Sequence, residues 1–149
     1  ESKSVTYTTK QSGRFMVVYE HKTFSDLASV PWAKNAVELF ASKGIVKGTG
    51  TDTYSPSVNI SRGDFIYSLI KALDLTADFT KNFDDVYRDA YYYQAVGMAK
   101  KLGITTGSES NQFKPETEIS RQDMAVFTIR ALQILNYVTT DADLSVLDS

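Results

Sequence analysis

The stretch Ile60-Ser61-Arg62-Gly63-Asp64 returns 59 residues later as Ile119-Ser120-Arg121-Gln122-Asp123. Working outward from it, residues 24–73 align with residues 83–132 without a gap, and 15 of the 50 pairs are identical. Average residue usage gives about three identities by chance. A fixed offset of this kind marks an internal repeat, and each copy is then one supersecondary unit.

Within each copy the sequence predicts helix–loop–helix. In the first, Ser29-Val30-Pro31 places a proline in the first turn of a helix, where its missing N–H costs nothing. Ala33, Ala36, Val37 and Phe40 follow at helical spacing, and Gly44 ends the run. Residues 48–56 read as a polar loop. A second helix opens at Ser61 and offers Phe65, Ile66, Leu69, Ile70 and Leu73 to a core. The second copy predicts helices over about residues 90–101 and 121–137. Such faces need a neighbouring copy to cover them.

The flanks differ. Val5, Tyr7 and Thr9 alternate with polar residues, Gln11-Ser12-Gly13 intervenes, and Phe15, Val17 and Tyr19 alternate again. That is a β-hairpin pattern. The predicted organisation is therefore a hairpin or upstream β-domain tail over 1–23, repeat units over 24–82 and 83–137, and a polar linker over 138–149. The opening Glu1-Ser2-Lys3-Ser4 carries no signal peptide and reads as the interior of a longer chain. The fold class is mainly α, a pseudo-symmetric helical bundle with a short hairpin.

Composition narrows the function. Of 149 residues, 42% are hydrophobic, enough for a sizeable core. A net charge of -2 disfavours a nucleic-acid binder, which needs a concentrated basic surface. No cysteine is present, so neither a disulfide nor a zinc–thiolate site can form. No apolar run reaches membrane-spanning length. One histidine, His21, and no cysteine remove most nucleophile–base pairs. The acids at repeating positions read as helix caps, which leaves no assigned catalytic constellation. No cofactor is expected. Asp52 between Thr51 and Thr53 lacks the spaced carboxylates of a calcium loop, so no metal site is expected either.

Ser61-x-x-Asp64 and Ser120-x-x-Asp123 have capping-box spacing. Capping needs the serine and the acid but not the arginine between them. Arg62 and Arg121 sit in first turns, where the helix dipole disfavours a cation unless an anion joins it. A helix start plus a guanidinium can grip a carboxylate bidentately; the alternative is an ion pair to Asp26 or Asp85. Arg62-Gly63-Asp64 also spells an integrin-binding tripeptide, but a helix start is not the exposed loop such recognition needs.

Several motifs in fixed order, twice over, resemble S-layer-homology repeats. They are Phe24-Ser25-Asp26, Trp32-Ala33, Gly44-Ile45-Val46-Lys47-Gly48, Tyr54-Ser55-Pro56 and Ile60-Ser61-Arg62-Gly63-Asp64 in the first copy. In the second they are Phe83-Asp84-Asp85, Tyr91-Tyr92, Gly103-Ile104-Thr105-Thr106-Gly107, Phe113-Lys114-Pro115 and Ile119-Ser120-Arg121-Gln122-Asp123. The family's hallmark Ile-Thr-Arg-Ala-Glu is altered in both. The resemblance implies a module usually built of three repeats, lodged in a bacterial cell wall or S-layer, binding a secondary cell-wall polysaccharide in grooves between repeats.

Such a polymer often carries pyruvate ketals, whose carboxylate would suit Arg62 and Arg121. Trp32 and Tyr91 would stack on sugar rings. Lys47 would add a cation to the first groove. Asp26 and Asp85 would accept sugar hydroxyls or cap helices, and Gly48 and Gly107 would admit a ligand or make a turn. Trp32 and Lys47 are expected to complete the groove of Arg62, and neither arginine is expected to matter much for stability. A missing third repeat would leave Leu69, Ile70 or Ile129 exposed, to be covered by that repeat, a second chain or the hairpin. The competing reading is a helical-repeat module for protein–protein interaction. Catalysis, if any, would belong to an upstream domain.

Overall fold

A computed structural model describes residues 20–108 and 110–139, with isolated positions 6, 8, 13, 14 and 16. Most of the hairpin segment expected over 1–23, and the linker beyond 139, lie outside the described residues; the described positions of the former, 6, 8, 13, 14, 16 and 20–23, are not in strands. Four helices organise the chain: α1 Pro31–Ser42, α2 Arg62–Ala72, α3 Tyr93–Lys101 and α4 Arg121–Ile134. A short 3-10 turn, Ser25–Ser29, precedes α1. Among the described residues the strand content is one antiparallel bridge, Ser61 with Glu118. Each repeat is thus helix–loop–helix in the same order.

The ends of the helices follow from their sequences. Pro31 occupies the first turn of α1, and Gly44 and Gly103 take left-handed φ values of 68° and 75° just past α1 and α3, the conformation glycine adopts without penalty. Ser61 and Ser120 cap α2 and α4: each hydroxyl accepts the N–H three residues on, at 3.1 and 3.0 Å. Each serine also donates to the aspartate of the pair, at 2.8 Å. The acid therefore reaches the cap's hydroxyl, where a full capping box would have it take the cap's backbone N–H. Helix α3 starts at Tyr93, later than the spacing suggests, because Tyr91 and Tyr92 form a turn ahead of it.

Two apolar clusters form. The larger joins α2, α3 and α4, with Ile66, Ile70, Val96, Ile104, Phe113, Phe127 and Ala131 buried. Phe65, Leu69 and Leu73 pack at its edge. Burying side chains of this size contributes about 1.5–3 kcal/mol each. The smaller holds Phe24, Leu27 and Ala41 beneath α1.

Two expectations fail here. Ala36 and Phe40 face outward and α1 instead buries Glu38 and Ala41, because α1 packs on the Ser25–Ser29 turn and not on the other helices. Ile70 is buried and Leu69 is packed, since α3 covers α2; of the three residues expected at an open face, Ile129 is exposed.

Candidate glycan-binding groove between the repeats

The start of α2 docks on the loop of the second repeat. Arg62 N–H donates to the Thr117 carbonyl at 2.9 Å, Gly63 N–H to Pro115 at 2.8 Å, and Ile119 N–H to Ile60 at 3.1 Å. Orphan donors of a helix start are thereby satisfied by the neighbouring repeat. The contact is close enough to favour a glycine: a Cβ on Gly63 would press on the Tyr92 ring at 3.0 Å and the Pro115 carbonyl at 3.2 Å. Gln122, the counterpart of Gly63, is exposed.

Docking carries Arg62 across the repeat boundary. Its Nε donates to the Phe113 carbonyl at 3.0 Å and its Nη1 pairs with Asp123 at 2.7 Å. The guanidinium carbon lies 5.0 Å from the Phe113 ring and 5.3 Å from that of Phe127. Nη2 has no protein partner among the described residues. The ion pair is therefore with Asp123, not with Asp26 or Asp85, and it leaves one edge of the fork free.

Arg62 lines a cleft of about 330 Å³ together with Gly107, Ser108, Lys114, Ser120 and Asp123, among others. The volume is in the small-ligand range. The lining carries two cations, Arg62 and Lys114, and two carboxylates, Asp123 and Glu118. Asp123 pairs with Arg62, Glu118 accepts from the Asn59 amide at 3.0 Å, and Lys114 is exposed and without an ion pair among the described residues. The counterpart cleft of the first repeat, about 160 Å³, holds Lys47, Thr49, Tyr54, Asp64 and Tyr67. Offset by 59 residues, Thr49, Tyr54 and Asp64 match Ser108, Phe113 and Asp123, but no arginine of a preceding unit enters among the described residues.

The acids that precede the first helices form loop clamps. Asp26 accepts from Tyr54 N–H at 3.0 Å and Ser55 N–H at 2.7 Å. Asp85 accepts from Phe113 N–H at 2.8 Å and Lys114 N–H at 2.7 Å. Ser55 and Lys114, each gripped in this way, both take φ of 59°. The Tyr54 and Ser55 amides hold the Asp26 carboxyl below its ordinary pKa, against a smaller opposing effect of burial. Neither acid pairs with an arginine.

The other expected residues scatter. Trp32 is 87% exposed on α1 and lines neither of these two clefts. Tyr91 takes the Lys47 ammonium on its ring at 4.3 Å and meets Tyr67 edge-on, so Lys47 belongs to the repeat junction and does not join Arg62. Its neighbour Tyr92 donates its hydroxyl to Glu116; burial and that bond raise its pKa. Arg121 is exposed and unpaired among the described residues. Gly48 and Gly107 serve first to admit rings: a Cβ there would collide with Phe24 and Phe83 respectively. Of the two glycines only Gly107 lines the groove of Arg62.

The sequence reading set the grooves between repeats but missed Lys114 and Asp123 as groove residues, because it grouped Arg62 with Trp32 and Lys47 of its own copy. The signal was present in Gly63 against Gln122: one helix start has a close neighbour and the other does not.

Helix–loop–helix units locked head to tail, with an arginine of one entering the loop cleft of the next, define a repeat module for binding. The S-layer homology domain model matches this chain at residues 23–66 and 82–125, more than half of it. The chain belongs to the S-layer homology domain family, and it is a cell-surface, cell-wall-associated binding module.

Relatives carry this segment in very different proteins. The chain is 33% identical over 86% of its length to exoglucanase XynX of Acetivibrio thermocellus, of which the match covers 11%. It is 28% identical over 90% of its length to an amylopullulanase of Thermoanaerobacterium thermosulfurigenes, covering 7% of that protein. It is 30% identical over 69% of its length to the surface-layer 125 kDa protein of Lysinibacillus sphaericus, covering 9%. The chain thus spans only about a tenth or less of the length of these relatives, 11%, 7% and 9%.

Proposed function

We propose that this module fixes its parent protein to the wall by gripping an acidic sugar of a secondary cell-wall polysaccharide in the groove between the repeats. Arg62 carries the reading: it crosses from one repeat to line the cleft of the other and keeps an Nη2 edge with no protein partner among the described residues. A carboxylate, such as that of a pyruvate ketal, accepts hydrogen bonds from such an edge in plane. Lys114 adds a charge without an ion pair among the described residues, and the start of α4 beside it adds a favourable dipole. The chain is read as two repeat units, 24–82 and 83–137, between flanking segments 1–23 and 138–149.

The test is co-sedimentation with purified walls before and after the polymer is extracted. The protein is expected to pellet with intact walls and to stay in solution with stripped ones. Equal pelleting with both contradicts the proposal.

A second reading, docking of a partner chain, is favoured by exposed apolar side chains along α4, Val126, Ile129 and Ile134, and by Leu39 and Phe40 on α1. Under it, Ile129→Ser would abolish retention of the parent protein and Lys114→Ala would not.

A further inference from the structure

We propose a second anion-binding site in the cleft on the far side of the 107–114 loop, built by Lys81, Arg88 and Lys100. This cleft, about 580 Å³, lies between the segment joining the repeats and α3; Asn111 of the loop is part of its wall. It continues into a cavity of about 330 Å³ where Lys101 joins Lys81 and Lys100. The same loop that walls the Arg62 groove thus walls this one too.

Four cations meet here in a chain whose net charge is -2. None forms an ion pair among the described residues. Lys100 is half-buried, with its ammonium 4.2 Å from the Phe83 ring centre. Its bonds go to neutral acceptors, the Asn82 carbonyl at 3.0 Å and the Asn111 side-chain oxygen at 2.6 Å. Its charge therefore stays uncompensated while part of its water is removed, a state that favours an anion. Two carboxylates share the lining: Asp84, which accepts from the Asn111 amide at 2.7 Å, and Asp78 in the adjoining cavity; neither forms an ion pair among the described residues. Phe79, seated where a Cβ on Gly97 would be, holds the joining segment and hence Lys81 against α3.

The feature is peculiar to the second repeat. The positions matching Lys81, Arg88 and Lys100 are Lys22, Ser29 and Ala41, and Lys22 is paired with Glu20 at 2.9 Å. The ligand chemistry is a sugar bearing a carboxylate or a phosphate. That the sugar belongs to the wall polymer rests on the preceding proposal; the site itself does not. One acidic polymer crossing the 107–114 loop could occupy both clefts, and two linked contacts hold far longer than one.

The experiment is an NMR titration of the labelled chain with glucuronate, glucose 6-phosphate and neutral methyl glucoside. Amides of Asn82, Asp84 and Asn111 are expected to shift with an acidic sugar and not with the neutral one. Response to glucuronate alone assigns a carboxylate and to the phosphate alone a phosphate; either supports the site. The exposed pair Lys81→Ala with Arg88→Ala is expected to weaken these shifts at least about tenfold, as loss of charge-assisted contacts does. Shifts at Lys114 and Ser120 in the same spectra report the Arg62 groove separately. No shift at Asn82, Asp84 and Asn111, an equal response to methyl glucoside, or an undiminished response in the double variant overturns the proposal.

Discussion

Arg62 of the first repeat and Asp123 of the second are joined at 2.7 Å across the repeat boundary, with the arginine side chain 16% exposed and the aspartate 39%. Asp123 is also the acid that receives the Ser120 cap hydroxyl. One carboxylate therefore ties the cap of α4, the start of α2 and the wall of the groove together.

The first prediction follows from this junction. Arg62→Ala removes a partly buried charged hydrogen-bond set and should destabilise the fold by about 1–3 kcal/mol. Arg121→Ala, at an exposed unpaired position, should stay within about 0.5 kcal/mol. Urea denaturation of both variants checks this; equal effects would mean that the two arginines are equivalent after all.

Gly107 sits at φ 67°, with the Phe83 ring occupying the place of a Cβ. Gly107→Ala should cost about 2–4 kcal/mol by overpacking and strain together, read as a fall in melting temperature. Gly44→Ala, at φ 68° but with open space around it, should cost only about 1 kcal/mol.

The acid sensitivity of the fold should draw on Asp26. Its pKa lies below the ordinary carboxylate value because backbone N–H groups of Tyr54 and Ser55 hold its charged form. A depressed carboxyl stabilises the folded state above the ordinary value, and that contribution disappears as pH falls through the folded pKa. Asp26→Asn should therefore flatten the loss of stability below about pH 4. Stability–pH curves of identical slope in both proteins would refute it.

Much of this fold is legible in the sequence because the repeat is regular. The 59-residue offset holds down to atoms: Asp26 and Asp85 grip matching amide pairs, and Ser55 and Lys114 share one φ. Caps at Ser61 and Ser120 follow from spacing alone. The site is less legible because it lies between copies. Periodicity within a copy cannot say which loop a helix start meets, so Arg62 was grouped with Trp32 and Lys47, residues that sit elsewhere. Phe40 misleads for a related reason: helical spacing marks an apolar stripe but not whether another element reaches it.

Trp32 gives a direct contrast. At 87% exposure and away from the Arg62 groove, Trp32→Ala should leave polymer affinity and stability unchanged, whereas Lys114→Ala should weaken binding severalfold without unfolding the chain. Calorimetry with purified polymer separates the two; a Trp32→Ala loss as large as that of Lys114→Ala would move the site onto α1.

The central claim is tested most directly by calorimetric titration of purified wall polymer, native and with its acidic substituents removed, into the intact chain and into Arg62→Lys. Native polymer should bind the intact chain, and removing the acidic groups should cost at least about tenfold, the worth of one charge-assisted contact. Arg62→Lys, which keeps the charge but loses the planar fork, should show most of that loss with native polymer and little further loss with stripped polymer. Equal affinity for native and stripped polymer, with Arg62→Lys indistinguishable from the intact chain, would contradict the account.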